Sequence, residues 1–169
     1  MVIVDSQVHI WTRSTPERPW PALEKAAVPI MLFAQPTDLH LVKRIAERHP
    51  GLKLVVDHFA LTHGQDEEAF RDFDKLLELA PCPNVAVKAS CLPIYTSAPY
   101  PFRPLHSHVR RVFDAFGPKR MFWGSDLSRL PCTYRECLTL FTEELPWLKG
   151  EHLEWVMGRG LCEWIGWKT

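Results

Sequence analysis

The sequence lacks an excess of charge of either sign. Its 169 residues include 20 lysines and arginines against 20 aspartates and glutamates. Proteins that bind nucleic acids or anionic membrane surfaces usually carry a basic excess or a block of Lys and Arg, because the partner's phosphates attract positive charge. Neither feature is present, so we expect no nucleic-acid partner and no membrane partner.

Long hydrophobic runs are also missing. The apolar stretch at residues 28–34 is far shorter than the roughly 20 residues that a membrane-spanning helix needs. The first residues do not form a basic segment followed by an apolar signal core. These features predict a cytoplasmic location.

The cysteines are odd in number and irregularly spaced. The five cysteines include no Cys-x-x-Cys pair, so the sequence favours neither a disulfide framework nor a structural zinc site. We expect reduced thiols.

The sequence does contain a repeated strand and helix pattern, with 46% hydrophobic residues to build a core. Short β-branched runs alternate with amphipathic segments, and Pro and Gly separate them, which predicts a single α/β domain over residues 1–169 with a parallel sheet. The five predicted strands are residues 2–11, 28–33, 52–58, 84–90 and 120–126. The predicted helices are residues 37–49, with Thr37 and Asp38 as caps, 66–80, 105–116, 134–145 and 151–164.

Three predicted strands end in a residue that could bind a metal or move a proton: His9, His58 and Asp126. The carboxyl ends of parallel strands form the functional edge of α/β folds, so these side chains should converge. They could hold a divalent metal such as Zn. Without metal, Asp126 could act as general base on a water while the histidines polarise a carbonyl. Simpler roles remain open, because either histidine could bond a backbone carbonyl and Asp126 could cap the next turn.

Four motifs and the closing segment together resemble one family. They are VDSQVHIW (residues 4–11), LVVDH (54–58), NVAVKAS (84–90), FWGSD (122–126) and MGRGLCEWIGW (157–167). In this order they resemble the amidohydrolase-related (amidohydrolase 2) proteins, which include pyrone dicarboxylate lactonases and decarboxylases of the aminocarboxymuconate semialdehyde type.

The resemblance implies a (β/α) barrel hydrolase whose first strand carries His-x-His, with a further His and a final Asp. Here Gln7 replaces the first histidine, and an amide is a poor transition-metal ligand, so a metal-free site is as consistent with the sequence as a zinc site. Gln7 is interpreted as a hydrogen-bonding residue of the site wall. Arg129 is the candidate for binding a substrate carboxylate.

Lys88 and Tyr95 are further candidates for substrate binding. Lys88 ends a predicted strand, and Tyr95 lies in the proline-rich loop that follows it. Simple solvation of Lys88 and simple packing of the Tyr95 loop are the alternatives.

The length departs from the family pattern. A complete barrel has about eight strands and roughly 250 residues, so about three strands are missing. The gap is localised between family segments 1–21 and 29–169, as if an internal deletion had removed the strands there. A partial or rearranged TIM-type barrel of about five strands would leave strand edges open, which predicts a homo-oligomer.

The sequence therefore predicts a hydrolase that acts on a small carboxylated lactone or a similar cyclic ester or amide. Decarboxylation stays open, since this family uses the same strand-end residues for it. The alternative is a truncated, non-catalytic relative that serves as a binding or scaffold protein, or a damaged gene product.

Overall fold

The computed structural model describes residues 1–6 and 29–167 of the chain. In that part the strands form one parallel sheet in the spatial order β1-β2-β3-β4. The strands are β1 (Ile30–Leu32), β2 (Leu54–Val56), β3 (Val85–Ser90) and β4 (Met121–Gly124). Sequential parallel neighbours are the arrangement of one arc of a (β/α) barrel. The predicted α/β class and partial barrel are thus confirmed.

The predicted strand at residues 2–11 falls only partly within the described chain. Residues 1–6 contain no strand. They still run beside the sheet, because the Ser6 N–H donates to the Trp123 carbonyl at 3.3 Å and the Val4 N–H donates to the Met157 carbonyl at 2.8 Å. Residues 7–11 lie outside the described residues.

Helices follow the strands along the chain. They are α1 (Leu39–Arg48), α2 (Asp66–Phe70), α3 (Asp74–Leu77), α4 (Arg103–Phe116), α5 (Tyr134–Thr142), α6 (Gly150–Glu154) and α7 (Gly160–Ile165), with a π-helical turn (Trp155–Arg159) before α7. Thr133 and Glu136 form a capping box at the start of α5. Among residues 1–6 and 29–167, none of the helices is long and apolar enough to cross a membrane.

Two helix predictions need correction. The expected continuous helix at 66–80 is broken into α2 and α3. Phe73, Leu76 and Leu79 are all buried, and the N–H groups of Leu76 and Leu79 each donate to the carbonyl three residues earlier at 3.1 Å. This tighter winding places residues three apart on one face, which suits these core side chains. Asp38 precedes α1, but its side chain makes no capping hydrogen bond because a short 3₁₀ turn (Pro36–Asp38) leads into the helix.

The two faces of the sheet have different neighbours. Val56, Val87 and Trp123 belong to the large core that packs against the helices. Val55, Ala86 and Phe122 point to the opposite, inner face, where Leu161 of α7 covers them. Since side chains alternate along a strand, Lys88 and Ser90 of β3 also belong to the inner face, nearer its carboxyl end. This end of the inner face carries the candidate site.

Candidate active site

His58 and Asp126 meet at the carboxyl edge of the sheet. His58 follows β2 and Asp126 follows β4, so β3 lies between them. His58 Nε2 is 3.7 Å from Asp126 Oδ2, and both side chains are buried. Both residues also have left-handed backbones, with φ of 53° for His58 and 51° for Asp126. Such conformations cost free energy in non-glycine residues and are frequent at functional sites.

The other ring nitrogen of His58 contacts Ser90, the last residue of β3. His58 Nδ1 lies 2.9 Å from Ser90 Oγ and 3.3 Å from the Ser90 carbonyl oxygen. The ring of Phe33 packs edge-on against the imidazole, with centroids 5.7 Å apart. Burial lowers the pKa of His58 and outweighs the nearby carboxylates of Asp57 and Asp126, which raise it. His58 is therefore neutral at pH 7.

Asp5, near the start of the chain, accepts hydrogen bonds from the residue before Asp126. The Ser125 N–H donates to Asp5 Oδ1 at 2.8 Å, and the Ser125 hydroxyl donates to Asp5 Oδ2. The Arg129 N–H donates to the Asp126 carbonyl at 2.8 Å and closes the turn after β4. Asp126 is thus fixed on both sides of its left-handed backbone.

Lys88 is buried rather than solvated. Its ammonium lies 3.0 Å from Asp57 Oδ1 and 3.0 Å from Met31 Sδ. The alternative interpretation of Lys88 as a solvated strand-end lysine is wrong, because the residue lies within β3 and its side chain points to the inner face. The charge of Lys88 is compensated by Asp57 inside the fold.

Tyr95 and Arg129 occupy different environments. Tyr95 is buried in a 3₁₀ turn, where its hydroxyl donates to the Leu61 carbonyl at 2.8 Å. Burial, together with Cys91 and Asp126, raises the pKa of Tyr95, so the hydroxyl stays protonated. Arg129 is exposed, and its positive charge lowers the pKa of His58. The guanidinium is therefore open to solvent, whereas the Tyr95 hydroxyl is bonded inside the fold.

The separation of the possible metal ligands among the described residues can be compared with that in a zinc centre. Two ligands of a tetrahedral zinc with bonds of about 2.0–2.1 Å lie roughly 3.4 Å apart, which is close to the separation of His58 Nε2 and Asp126 Oδ2. Catalytic zinc sites, however, use about three protein ligands. In residues 1–6 and 29–167 no group of three or more His, Cys, Asp or Glu residues could hold a metal ion. Gln7 and His9 lie outside the described residues, so the described donors alone do not form a metal centre.

Three residues at the site were not singled out from the sequence: Asp5, Asp57 and Ser90. Each lies within one of the family motifs. The available signal was that each is a polar residue one or two positions from a candidate site residue. The partners of Asp5, Asp57 and Ser90 are distant along the chain, so only the fold brings them together.

Comparison with known proteins agrees with this architecture. The sequence model of the amidohydrolase family matches residues 4–159, and the chain belongs to this family. Over 102 residues it is 38% identical to an L-fucono-1,5-lactonase from Burkholderia ambifaria, an alignment that covers 56% of this chain and 33% of that protein.

Solved structures share the fold. An amidohydrolase from Burkholderia multivorans with bound zinc superimposes with a TM-score of 0.70 at 24% identity, over 80% of this chain and 51% of that one. A protein from Pseudomonas putida, named as a 2-pyrone-4,6-dicarboxylic acid hydrolase, gives a TM-score of 0.66 at 20% identity, over 83% of this chain and 52% of that one. The chain therefore spans about a third of the curated relative and about half of these structures.

Proposed function

We propose that the chain carries the catalytic base of a lactone hydrolase, and that Asp126 is this base. The observation that carries the proposal is the buried pair of His58 Nε2 and Asp126 Oδ2, 3.7 Å apart at the carboxyl edge of the sheet. Family membership and similarity to an L-fucono-1,5-lactonase support a lactone as the substrate class.

The reaction needs one water and one proton acceptor. Asp126 takes a proton from the water as its oxygen attacks the lactone carbonyl carbon. The tetrahedral intermediate then collapses, the bond between the carbonyl carbon and the ring oxygen breaks, and the proton on Asp126 passes to the departing oxygen. The product is an open-chain hydroxy acid, and Asp126 returns to its ionised form.

His58 contributes as a neutral, buried imidazole beside this carboxylate. Its lowered pKa disfavours a positive charge on the imidazole next to Asp126. His9 is proposed as the second imidazole at this edge and Gln7 as a wall residue, as the sequence predicts.

A substrate carboxylate would be bound by Arg129 rather than by Lys88. Arg129 is exposed and follows Asp126 by three residues, whereas the ammonium of Lys88 is already paired with Asp57. An arginine can hold a carboxylate through two parallel hydrogen bonds. The proposed substrate is therefore a small lactone that carries a carboxylate.

The test is lactone hydrolysis by the purified chain and by Asp126→Asn, with Asp114→Asn as the matched control. Asp114 is an exposed carboxylate of α4 that pairs with Arg110. Removal of the base should lower kcat by about 100-fold or more, while the control retains the wild-type rate. Equal rates for Asp126→Asn and wild type would overturn the proposal.

Two further measurements separate the alternatives. If the chain is a non-catalytic relative, neither ring opening nor release of CO₂ will occur with any carboxylated lactone. Treatment with EDTA should leave the hydrolytic rate unchanged if Asp126 acts without metal. A loss of rate that zinc restores would instead show that hydrolysis requires a metal, with His58 and Asp126 as candidate ligands.

A further inference from the structure

Three consecutive residues at the candidate site have left-handed backbones. The angle φ is 53° at His58, 54° at Phe59 and 59° at Ala60. The Leu61 N–H donates to the His58 carbonyl at 2.9 Å and closes this segment as a left-handed turn. A Cβ atom disfavours each of these conformations, so contacts with the surrounding structure must hold the turn in place.

The direction of the His58 side chain depends on this left-handed turn. The backbone conformation of a residue sets the direction in which its side chain leaves the chain. A change of the turn towards ordinary backbone angles would therefore move the imidazole, and Nε2 would leave its position 3.7 Å from Asp126 Oδ2. The geometry of the candidate pair thus requires contacts that fix the turn.

The hydroxyl of Tyr95 is bonded to the residue that closes the turn. Tyr95 lies in the 3₁₀ turn (Leu92–Tyr95) after β3, and its hydroxyl donates to the Leu61 carbonyl at 2.8 Å. Leu61 therefore accepts a hydrogen bond from Tyr95 through its carbonyl and donates one to His58 through its N–H. Tyr95 and Leu61 are only 1% and 2% exposed, so water cannot replace the hydroxyl without a local rearrangement.

Other contacts between the loops after β2 and β3 lie further along the chain. Gln65 Nε2 donates to the Thr96 carbonyl at 3.3 Å, and the Thr96 hydroxyl donates to Asp66 Oδ1 at 2.8 Å. Gln65 and Asp66 follow Leu61 by four and five residues. The Tyr95 hydroxyl instead bonds the residue at the end of the turn itself.

We propose that Tyr95 is a positioning residue, which holds the left-handed turn through Leu61 and so keeps His58 beside Asp126. This role differs from the substrate contact predicted for Tyr95 from the sequence, because the hydroxyl bonds inside the fold. Its meaning for catalysis rests on the proposed function, whereas its effect on the turn does not.

The methyl group of Ala60 reports the turn without an activity assay. In protein labelled with ¹³C at the alanine methyl groups, the Ala60 signal is the one missing from Ala60→Gly. NMR exchange measurements on this signal give the population of a second conformation of the turn. Tyr95→Phe removes only the hydroxyl and should raise that population by about fivefold to tenfold, the factor that one ordinary hydrogen bond supplies.

Tyr100→Phe is the matched control. It also removes a buried-side phenol contact, since the Tyr100 hydroxyl lies 3.0 Å from Thr139 Oγ1 of α5, and it should leave the Ala60 signal as in the wild type. An equal change in the two variants would overturn the proposal. A lower Tm of Tyr95→Phe with an unchanged Ala60 signal would show a purely structural hydroxyl and would overturn it as well.

The reaction rate provides a second measurement. Displacement of His58 should lower kcat of Tyr95→Phe by about fivefold to tenfold. KM should change little, because Arg129, the proposed ligand of the substrate carboxylate, is not part of the turn. Glycine adopts a positive φ without steric cost, so Tyr95→Phe/Ala60→Gly should be faster than Tyr95→Phe. A double variant that is no faster would contradict the role of the turn.

The two proposals fail in different ways. If the Ala60 signal changes as expected in Tyr95→Phe but Asp126→Asn keeps the wild-type rate, the role of Tyr95 in the turn stands and the proposed function fails. If Asp126→Asn loses activity but the Ala60 signal is the same in Tyr95→Phe and wild type, the proposed function stands and the role of Tyr95 fails.

Discussion

Lys88 and Asp57 form a buried ion pair on the inner face of the sheet, with Nζ 3.0 Å from Oδ1. The side chains are 2% and 12% exposed. Lys88 belongs to β3, and Asp57 follows β2 directly, so the pair joins neighbouring strands next to His58. The two charges compensate each other where the cost of an isolated charge is high.

Removal of one partner should therefore destabilise the fold. Asp57→Ala leaves the buried ammonium without its carboxylate and should lower the free energy of unfolding by about 3 kcal/mol. The double variant Asp57→Ala/Lys88→Met should recover most of this loss, because it removes both charges. Urea denaturation of the three proteins measures the difference.

The exposed pair of Arg110 and Asp114 provides the control for this experiment. Its side chains are about half exposed, at 47% and 53%. Asp114→Ala should change the stability by less than about 1 kcal/mol. A similar loss for Asp57→Ala and Asp114→Ala would contradict the prediction.

Asp5 should influence activity without touching the substrate. It accepts two hydrogen bonds from Ser125, the residue before Asp126, so Asp5→Ala frees the backbone that positions the proposed base. We expect kcat to fall by about tenfold to 100-fold, the range that a small misplacement of a catalytic group produces. Asp5→Asn keeps one acceptor for the Ser125 N–H and should fall less.

Steady-state kinetics on the same lactone measures whether kcat falls more for Asp5→Ala than for Asp5→Asn. A wild-type kcat for a folded Asp5→Ala protein would show that Asp126 does not need this support.

His108 should make stability depend on pH. Its ring stacks on Phe70 with centroids 3.7 Å apart, and burial, helped by Arg111, lowers the pKa of His108 while Asp74 raises it. The unfolded chain therefore binds the proton more readily than the folded chain. The contribution of neutral His108 is complete above the ordinary histidine pKa of about 6.5 and is lost as the pH falls below it.

Replacement of His108 by Phe keeps a stacking ring without a titrating group. Thermal melting between about pH 8 and pH 5 should show a smaller decrease of Tm for His108→Phe than for wild type. Equal decreases of Tm in the two proteins would exclude His108 as a source of the pH dependence of stability.

Among the described residues, one edge of β1 has no strand paired with it, which favours self-association. In residues 1–6 and 29–167, β1 pairs only with β2, and Met31 and Phe33 are 45% and 59% exposed. Unpaired strand edges with apolar side chains are sites of association between chains. We therefore predict a homo-oligomer, detectable by native mass spectrometry.

A charged residue at this edge should weaken the assembly. Phe33→Lys should shift the population towards the monomer, whereas Trp167→Lys, at an exposed aromatic residue beyond α7, should not. A monomeric wild-type protein at micromolar concentration would contradict the prediction.

Local patterning in the sequence was sufficient for the four described strands and for the order of the helices after them, whereas the strand predicted at residues 2–11 is not seen in residues 1–6. The apolar runs at residues 28–33, 52–58, 84–90 and 120–126 each contain an observed strand, because a strand covered on both faces needs continuous apolar residues. The broken helix at 66–80 could not be foreseen, since helical and 3₁₀ spacings differ little over a short segment. The burial of Phe73 and Leu76 in the core decides between the two spacings.

Part of the candidate site could also be predicted from the sequence, and part could not. His58 and Asp126 were recognisable as polar residues at strand ends, and their meeting follows from a parallel sheet. The partners that hold them were not recognisable, because Ser90 is 32 residues from His58 and Asp5 is 120 residues from Ser125. The sequence by itself determined the family, the order of the strands along the chain and the residue types at the functional edge. Only the tertiary structure decided that Lys88 is buried against Asp57 and that Ser90 faces the His58 ring, since long-range packing sets both contacts.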